Sequence, residues 1–227
     1  MTTVGIIGGT VFFEVDLLKE STVRTVNTPY GQVDVYEQGD IRFIQRHGKD
    51  HVPPHAINYR ANIAAFSECG VTHIIGAYSV GGMHMKYSPG TILVPHDFIH
   101  LGSTSTIHDR KSVHITPALD EGLREALVSG GKAIVDRGVY WNTPGPRLET
   151  KAEITMISGH ADVVGMTMAH EATLANEFEI PFAAICSVDN FAHGVGDKQM
   201  TYEEIKKMAK KNAGSVASVI RSTVERL

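Results

Sequence analysis

Two apolar runs set the order of elements in the most informative part of this chain, residues 138–190 (GVYWNTPGPRLETKAEITMISGHADVVGMTMAHEATLANEFEIPFAAICSVDN). Residues 161–166 and 180–188 string Val, Ile, Ala and Phe together without polar alternation, the pattern of parallel strands buried on both faces. Residues 170–179 between them read as a helix, so the stretch predicts a strand–helix–strand crossover. Small and polar groups collect where each strand ends, at Gly165-Met166-Thr167 and at Asp189-Asn190. Open α/β sheets bind ligands beyond the carboxyl ends of their strands, so these are the first places to look for a site.

The rest of the chain continues the alternation. Residues 4–7 form an apolar strand closed by Gly8-Gly9-Thr10, where glycines let the backbone approach a phosphate and a Thr hydroxyl can add a hydrogen bond. No third glycine follows, which excludes a dinucleotide fingerprint. Residues 29–46 alternate and turn at Glu37-Gln38-Gly39-Asp40, predicting a hairpin. A helix over 57–69 stops at Gly70, and a strand over 72–78 is closed by a second small-residue turn, Ser79-Val80-Gly81-Gly82. Another strand covers 91–98. Residues 101–115 are polar and lack a period, so they read as a mobile loop, suited to a lid or an interface arm. A helix over 116–130, a long strand over 132–143 and a helix from Glu149 to Ser158 follow. The capping-box spacing Thr201-Tyr202-Glu203-Glu204 then opens a last helix to the C-terminus. No repeat or interior linker interrupts the pattern, and residues 1–227 are expected to form a single α/β domain.

Composition removes several classes of function. The 227 residues are 42% hydrophobic and 20% charged, as in an ordinary soluble globular protein. A net charge of -4 without a basic cluster gives no support to nucleic-acid binding. No apolar run approaches the ~20 residues of a membrane span, so no membrane partner is expected. The N-terminus runs into a strand without a targeting pattern, and Cys69 and Cys186 sit in apolar contexts. Free thiols and a cytoplasmic location follow as expectations. His47, His51 and His55 straddle the Pro53-Pro54 break without a cysteine, so no metal site is expected. Arg46 beside His47 at a strand end suits an oxyanion clamp better, because guanidinium matches phosphate geometry.

Several of these pieces occur together in one family. GIIGGT, QRHG with HVPPHAINYRANIAA, YSVGGM, GPRLETKAE, and GMTMAHEATLANE leading to VDN span most of the chain in a single order. By them the chain resembles the purine nucleoside phosphorylases, in the branch that includes the methylthioadenosine phosphorylases. The resemblance implies a nucleoside-phosphorylase-like fold, a mixed central sheet flanked by helices. It implies reversible cleavage of a purine nucleoside by inorganic phosphate, with no metal or organic cofactor. It also implies a homo-oligomer, trimer or hexamer, with sites at subunit borders. Carried onto this chain, Thr10, Arg46, His47 and Thr167 would hold phosphate, with the Ser79 backbone completing the cradle. Gly165 and Met166 would lie against the ribose, while Leu148, Glu149 and Asn190 would border the base. His51 matches a position that reaches a neighbouring subunit's 5′ pocket.

The base-reading position carries a preference. Counted from Met166, Asn190 rather than Asp189 matches the family's purine reader. An amide can donate to N7 or O6 and still accept, whereas an ionised carboxylate would face O6 unfavourably. Glu149 can accept the N1–H that 6-oxopurines carry and adenine lacks. The pair therefore favours inosine, guanosine or 5′-methylthioinosine as substrate. A register shifted by one would make Asp189 an adenine reader, and a methylthioadenosine phosphorylase is the alternative. Met200, Ile205 and Met208 are candidates for an apolar wall at the 5′ side, although core packing of the last helix explains them equally. A nucleosidase using water has little need of the Arg46–His47 pair, and a non-catalytic nucleoside-binding protein would not keep every site position.

Overall fold

The computed structural model describes residues 2–12, 20–196 and 200–227. Strand β1 (Val4–Gly8) is buried throughout, as its apolar sequence requires. A meander follows, β2 (Thr22–Thr28), β3 (Gly31–Gln38) and β4 (Ile41–Gln45), and β4 returns parallel to β1. The hairpin expected over 29–46 is the second half of this meander. Strand β2 was not legible because it lies at the sheet edge with only Val26 buried.

Helix α1 (Tyr59–Glu68) starts where the Asn58 side chain accepts from the Ala61 N–H at 3.1 Å, and it ends before Gly70, whose φ is 67°. Strand β5 (His73–Gly82) runs parallel to β1 on its other side. It includes Ser79-Val80-Gly81-Gly82, expected as a turn. Pairing with Asn190 and Phe191 on one edge and with Val163 and Val164 on the other keeps Gly81 and Gly82 in the sheet.

The strand expected over 91–98 is two, β6 (Ile92–Val94) and β7 (Asp97–His100). Helix α2 (Glu121–Val128), capped by Asp120, is shorter than expected. The long strand expected over 132–143 is likewise two, β8 (Ile134–Asp136) and β9 (Val139–Asn142). Both breaks share one corner. The His96 N–H bonds the Gly138 carbonyl at 3.0 Å and the Arg137 N–H bonds the Val94 carbonyl at 3.2 Å, so neighbouring strands bend side by side.

Helix α3 (Lys151–Ile157) and strand β10 (Val163–Gly165) lead into helix α4 (Met168–Glu177) and strand β11 (Phe182–Phe191). The expected crossover is present, but its strands do not run parallel. Strand β11 is parallel to β5, whereas β10 is antiparallel to the end of β5 and parallel to β9. Helix α5 (Tyr202–Val224) closes the chain with the capping box of Thr201 and Glu204 in place.

The result is a mixed sheet flanked by helices. One apolar cluster joins α1 and α4 to the sheet, and a second joins α2 and α5 to it. Residues 101–115 contain no helix or strand, yet Thr106 and the Ile107 N–H bond the Glu177 carboxylate at 2.7 and 2.8 Å. No helix among the described residues is long and apolar enough to cross a membrane.

Candidate active site

Because β1, β4, β5 and β11 are mutually parallel, their carboxyl ends open on the same side of the sheet. A cavity of about 170 Å³ lies there. Ten residues given a phosphate, ribose or base role from the sequence line it: Thr10, Arg46, His47, Ser79, Leu148, Glu149, Gly165, Met166, Thr167 and Asn190. They come from six separate stretches of chain, which only the sheet topology brings together.

The deepest part is formed by Arg46, only 3% exposed. Its guanidinium grips Glu171 of α4 through Nε at 2.6 Å and Nη2 at 2.8 Å. Nη1 donates to the Ala77 carbonyl at 3.0 Å and Nη2 to the Ile7 carbonyl at 3.3 Å. The Tyr78 ring lies against the guanidinium at 4.3 Å, and the Tyr78 hydroxyl donates to Glu171 at 2.5 Å. Burial penalises the Arg46 cation, yet the facing Glu171 carboxylate more than offsets this and holds its pKa above the ordinary value. Burial and the same carboxylate push the Tyr78 phenol well up, so it stays a neutral donor.

His47 is its neighbour on the cavity wall. Its Nδ1 lies 2.7 Å from the Val52 carbonyl, an acceptor only, so Nδ1 carries the proton. Burial first, then the Arg46 cation, lowers its pKa to about 4, and the ring is neutral at physiological pH. Gly9 explains how these groups fit under the first turn. A Cβ there would lie 2.6 Å from Arg46 Nη1 and 3.1 Å from His47 Nε2, so only glycine leaves them room. Thr167 is the N-cap of α4 but makes no capping bond with its side chain, and its hydroxyl is not committed to the helix.

Glu149 and Asn190 form a second polar group on the lining. Glu149 stands one residue before the N-cap of α3, where Thr150 and Glu153 supply the capping box between themselves. Its carboxylate, 8% exposed, is therefore not engaged in capping and accepts from the Thr143 hydroxyl at 2.6 Å. Asn190 owes its orientation to a bulge, because the β11–β5 register shifts between Val188 and Asn190. Its Nδ2 donates to the Phe191 carbonyl at 2.7 Å.

Asp189, one residue earlier, is outside the cavity lining. It is fully buried and accepts from Ser187 at 2.5 Å and Asn212 at 2.9 Å, and burial raises its pKa. His51 is also outside the lining, on an exposed turn at φ 50°. Met200 and Ile205 line the cavity, whereas Met208 does not.

Sequence reasoning missed Tyr78, Pro54, His193 and Tyr202, which also line it, and the buried Glu171 beneath. His193, whose Nδ1 lies 3.3 Å from the Glu149 carbonyl, follows closely on Asn190 and could have been found by extending the reading past the strand end. Glu171 had a signal too, as a lone acid among small apolar residues in the first turn of a helix. Among the described residues no cluster of His, Cys, Asp or Glu could hold a metal ion.

The sequence pattern of the phosphorylase superfamily matches residues 3–225, and the chain belongs to that family. A probable 6-oxopurine nucleoside phosphorylase of Archaeoglobus fulgidus is 43% identical over 99% of this chain and 96% of its own. A probable S-methyl-5′-thioinosine phosphorylase of Methanopyrus kandleri is 40% identical over 99% of this chain and 93% of its own. Among solved structures, methylthioadenosine phosphorylase from Schistosoma mansoni in complex with adenine superposes with a TM-score of 0.90. It is 26% identical and covers all of this chain and 92% of its own.

Proposed function

We propose that the protein cleaves purine nucleosides with inorganic phosphate, releasing the free base and ribose-1-phosphate or its 5-methylthio analogue, with preference for 6-oxopurines. The observation that carries this is one cavity lined both by Arg46, His47, Thr10, Ser79 and Thr167 and by Glu149 and Asn190. Phosphorolysis breaks the bond between C1′ and the purine nitrogen, building positive charge on the ribose and negative charge on the base. Phosphate beneath C1′ stabilises the first and attacks the carbon, and its new C–O bond replaces the broken C–N bond. A donor at N7 stabilises the electron pair that leaves with the base.

Arg46 supplies an N–H donor and Thr10 and Thr167 supply O–H donors, His47 presents Nε2 as an acceptor for a protonated phosphate oxygen, and the first turn of α4 adds the favourable end of a helix dipole. Gly165 and Met166 flank the ribose. Asn190, oriented by its bond to the Phe191 carbonyl, keeps a second amide hydrogen for the purine. Glu149 is held through Oε1 by Thr143, leaving Oε2 to accept the N1–H of a 6-oxopurine. Burial of Asp189 away from the cavity argues against the adenine alternative. Leu148, Met200, Tyr202 and Ile205 give the cavity apolar surface compatible with a 5′-methylthio group.

On this reading residues 1–227 act as one catalytic domain, in the cytoplasm, with no cofactor beyond phosphate and no nucleic-acid or membrane partner. The working form is a homotrimer or a dimer of trimers, in which His51 reaches a neighbour's 5′ pocket. The exposed apolar Leu101 and Val113 support such an interface.

The test is base release from inosine, guanosine, adenosine, methylthioadenosine and methylthioinosine, each with and without phosphate. Phosphate-dependent cleavage of the 6-oxo compounds is expected to dominate. Preferential cleavage of methylthioadenosine would assign an adenine reader, and release without phosphate would make the protein a hydrolase.

A further inference from the structure

Glu171 is fully buried and does not line the cavity, yet it governs the residue that does. A buried carboxylate in the first turn of a helix is favoured by the helix dipole, and here it is also matched by a cation. Glu171 takes two parallel hydrogen bonds from Arg46, at 2.6 and 2.8 Å, and a third from Tyr78 at 2.5 Å. With Nη1 bound to Ala77 and Nη2 also bound to Ile7, the guanidinium has no room to swing. One Nη1 hydrogen remains beyond these bonds, on the group that faces Gly9 and the cavity. The charge of Arg46 is already matched before an anion arrives. What the floor offers is a directed N–H rather than an unpaired cation.

We propose that Glu171, braced by Tyr78, is a positioning residue for the phosphate co-substrate: it locks Arg46 so that one Nη1–H faces the anion, and it makes anion selection depend on hydrogen-bond geometry instead of net charge. This rests on the phosphorolytic reading above. A methylene-scale displacement of Arg46 would therefore weaken phosphate use without altering how the nucleoside binds.

The experiment measures KM for phosphate and for inosine separately, at about 50 and 500 mM salt, in wild type, Glu171→Gln, Glu171→Asp and Tyr78→Phe. Wild type should show a phosphate KM nearly independent of salt. Tyr78→Phe should raise that KM about threefold and Glu171→Gln about tenfold or more, with the inosine KM within about twofold of wild type. Glu171→Gln should also become salt-sensitive, because its guanidinium is no longer matched, and Glu171→Asp should recover part of the loss.

An unchanged phosphate KM in both Glu171→Gln and Tyr78→Phe overturns the proposal. So does a parallel loss in both substrates that tracks the unfolding temperature, since that describes a merely structural pair. If Glu171→Gln does not fold, Tyr78→Phe decides alone, because it keeps the ring and its volume. Wild-type base release without phosphate would instead overturn the phosphorolytic reading, a result distinct from phosphate-dependent wild type with indifferent variants.

Discussion

At the floor of the cavity Arg46 is tied through Nε, Nη1 and Nη2 to Glu171, Ala77 and Ile7, all of it out of solvent. At the mouth Leu148 is 53% exposed and Tyr202 61% exposed, and Glu149 and Asn190 are each held by a single side-chain bond. Each member of the floor is bonded to another, so losing any one leaves a buried group unpaired and the geometry changed. Substitutions at the mouth meet fewer partners. On the proposed reading, chemistry common to every nucleoside falls to the rigid group, and discrimination among purines to the group that tolerates change.

Arg46→Met should break the floor most severely. It leaves Glu171 buried without its cation, at a cost of about 3–5 kcal/mol in stability. Phosphate-dependent kcat/KM should also fall about 10³-fold. Steady-state kinetics beside thermal unfolding would check both, and an activity within tenfold of wild type would end the distinction between the two groups. Gly9→Ala is a milder intrusion, placing a methyl 2.6 Å from Arg46 Nη1. A loss of about 10- to 100-fold in kcat/KM for phosphate is expected, with inosine KM little changed. Equal effects on both substrates would mean that the two groups are not independent.

At the mouth, Asn190→Asp should alter choice rather than rate. The inosine-to-adenosine ratio of kcat/KM should drop about tenfold, because the carboxylate cannot donate to N7 or O6 of a 6-oxopurine unless protonated. A constant ratio would remove Asn190 from base recognition.

The smallest effect concerns pH. His47 and His170 have folded pKa values lowered from 6.5 to about 4, in each case chiefly by burial. The unfolded chain therefore takes up protons below pH 6.5 that the folded chain refuses, and stability present above that pH is lost as pH falls towards 4. Asp189, with its raised pKa, acts in the opposite sense. A comparison of wild type with His170→Gln isolates the histidine contribution. The variant's unfolding midpoint should fall less between pH 6.5 and 4.5, and identical slopes would refute the assignment.

What was legible in the sequence was local. Thr201 caps α5 through Glu204 three residues on, and the end of α1 before Gly70 follows from equally short-range chemistry, whereas Asn58 and Thr150, which cap α1 and α3, were passed over. Thr10, Arg46, Gly165, Thr167 and Asn190 were found because they stand at strand ends, where the pattern switches from apolar to small and polar, whereas Leu148 came from the family resemblance. The bond from Arg46 to Glu171 was not legible, since it joins residues 125 positions apart and neither residue's neighbours announce the other. The corner that divides β6 from β7 and β8 from β9 was hidden for the same reason. Each kink is stabilised by the other strand, through His96 with Gly138 and Arg137 with Val94. Asp189 and Asn190 were adjacent candidates that pattern alone could not separate, and the bulge separates them.

That bulge has a further consequence. One extra residue at positions 188–190 puts a carboxylate and a carboxamide back to back, one packed against Asn212 and the other displayed to the cavity. A bulge re-aims side chains locally beside active sites, and displacing it by one residue changes which neighbour faces out. A lineage carrying this strand could therefore exchange the displayed group by a slip of one position, with no new side chain invented. The purine face of such an enzyme is an accident of phase as much as of composition.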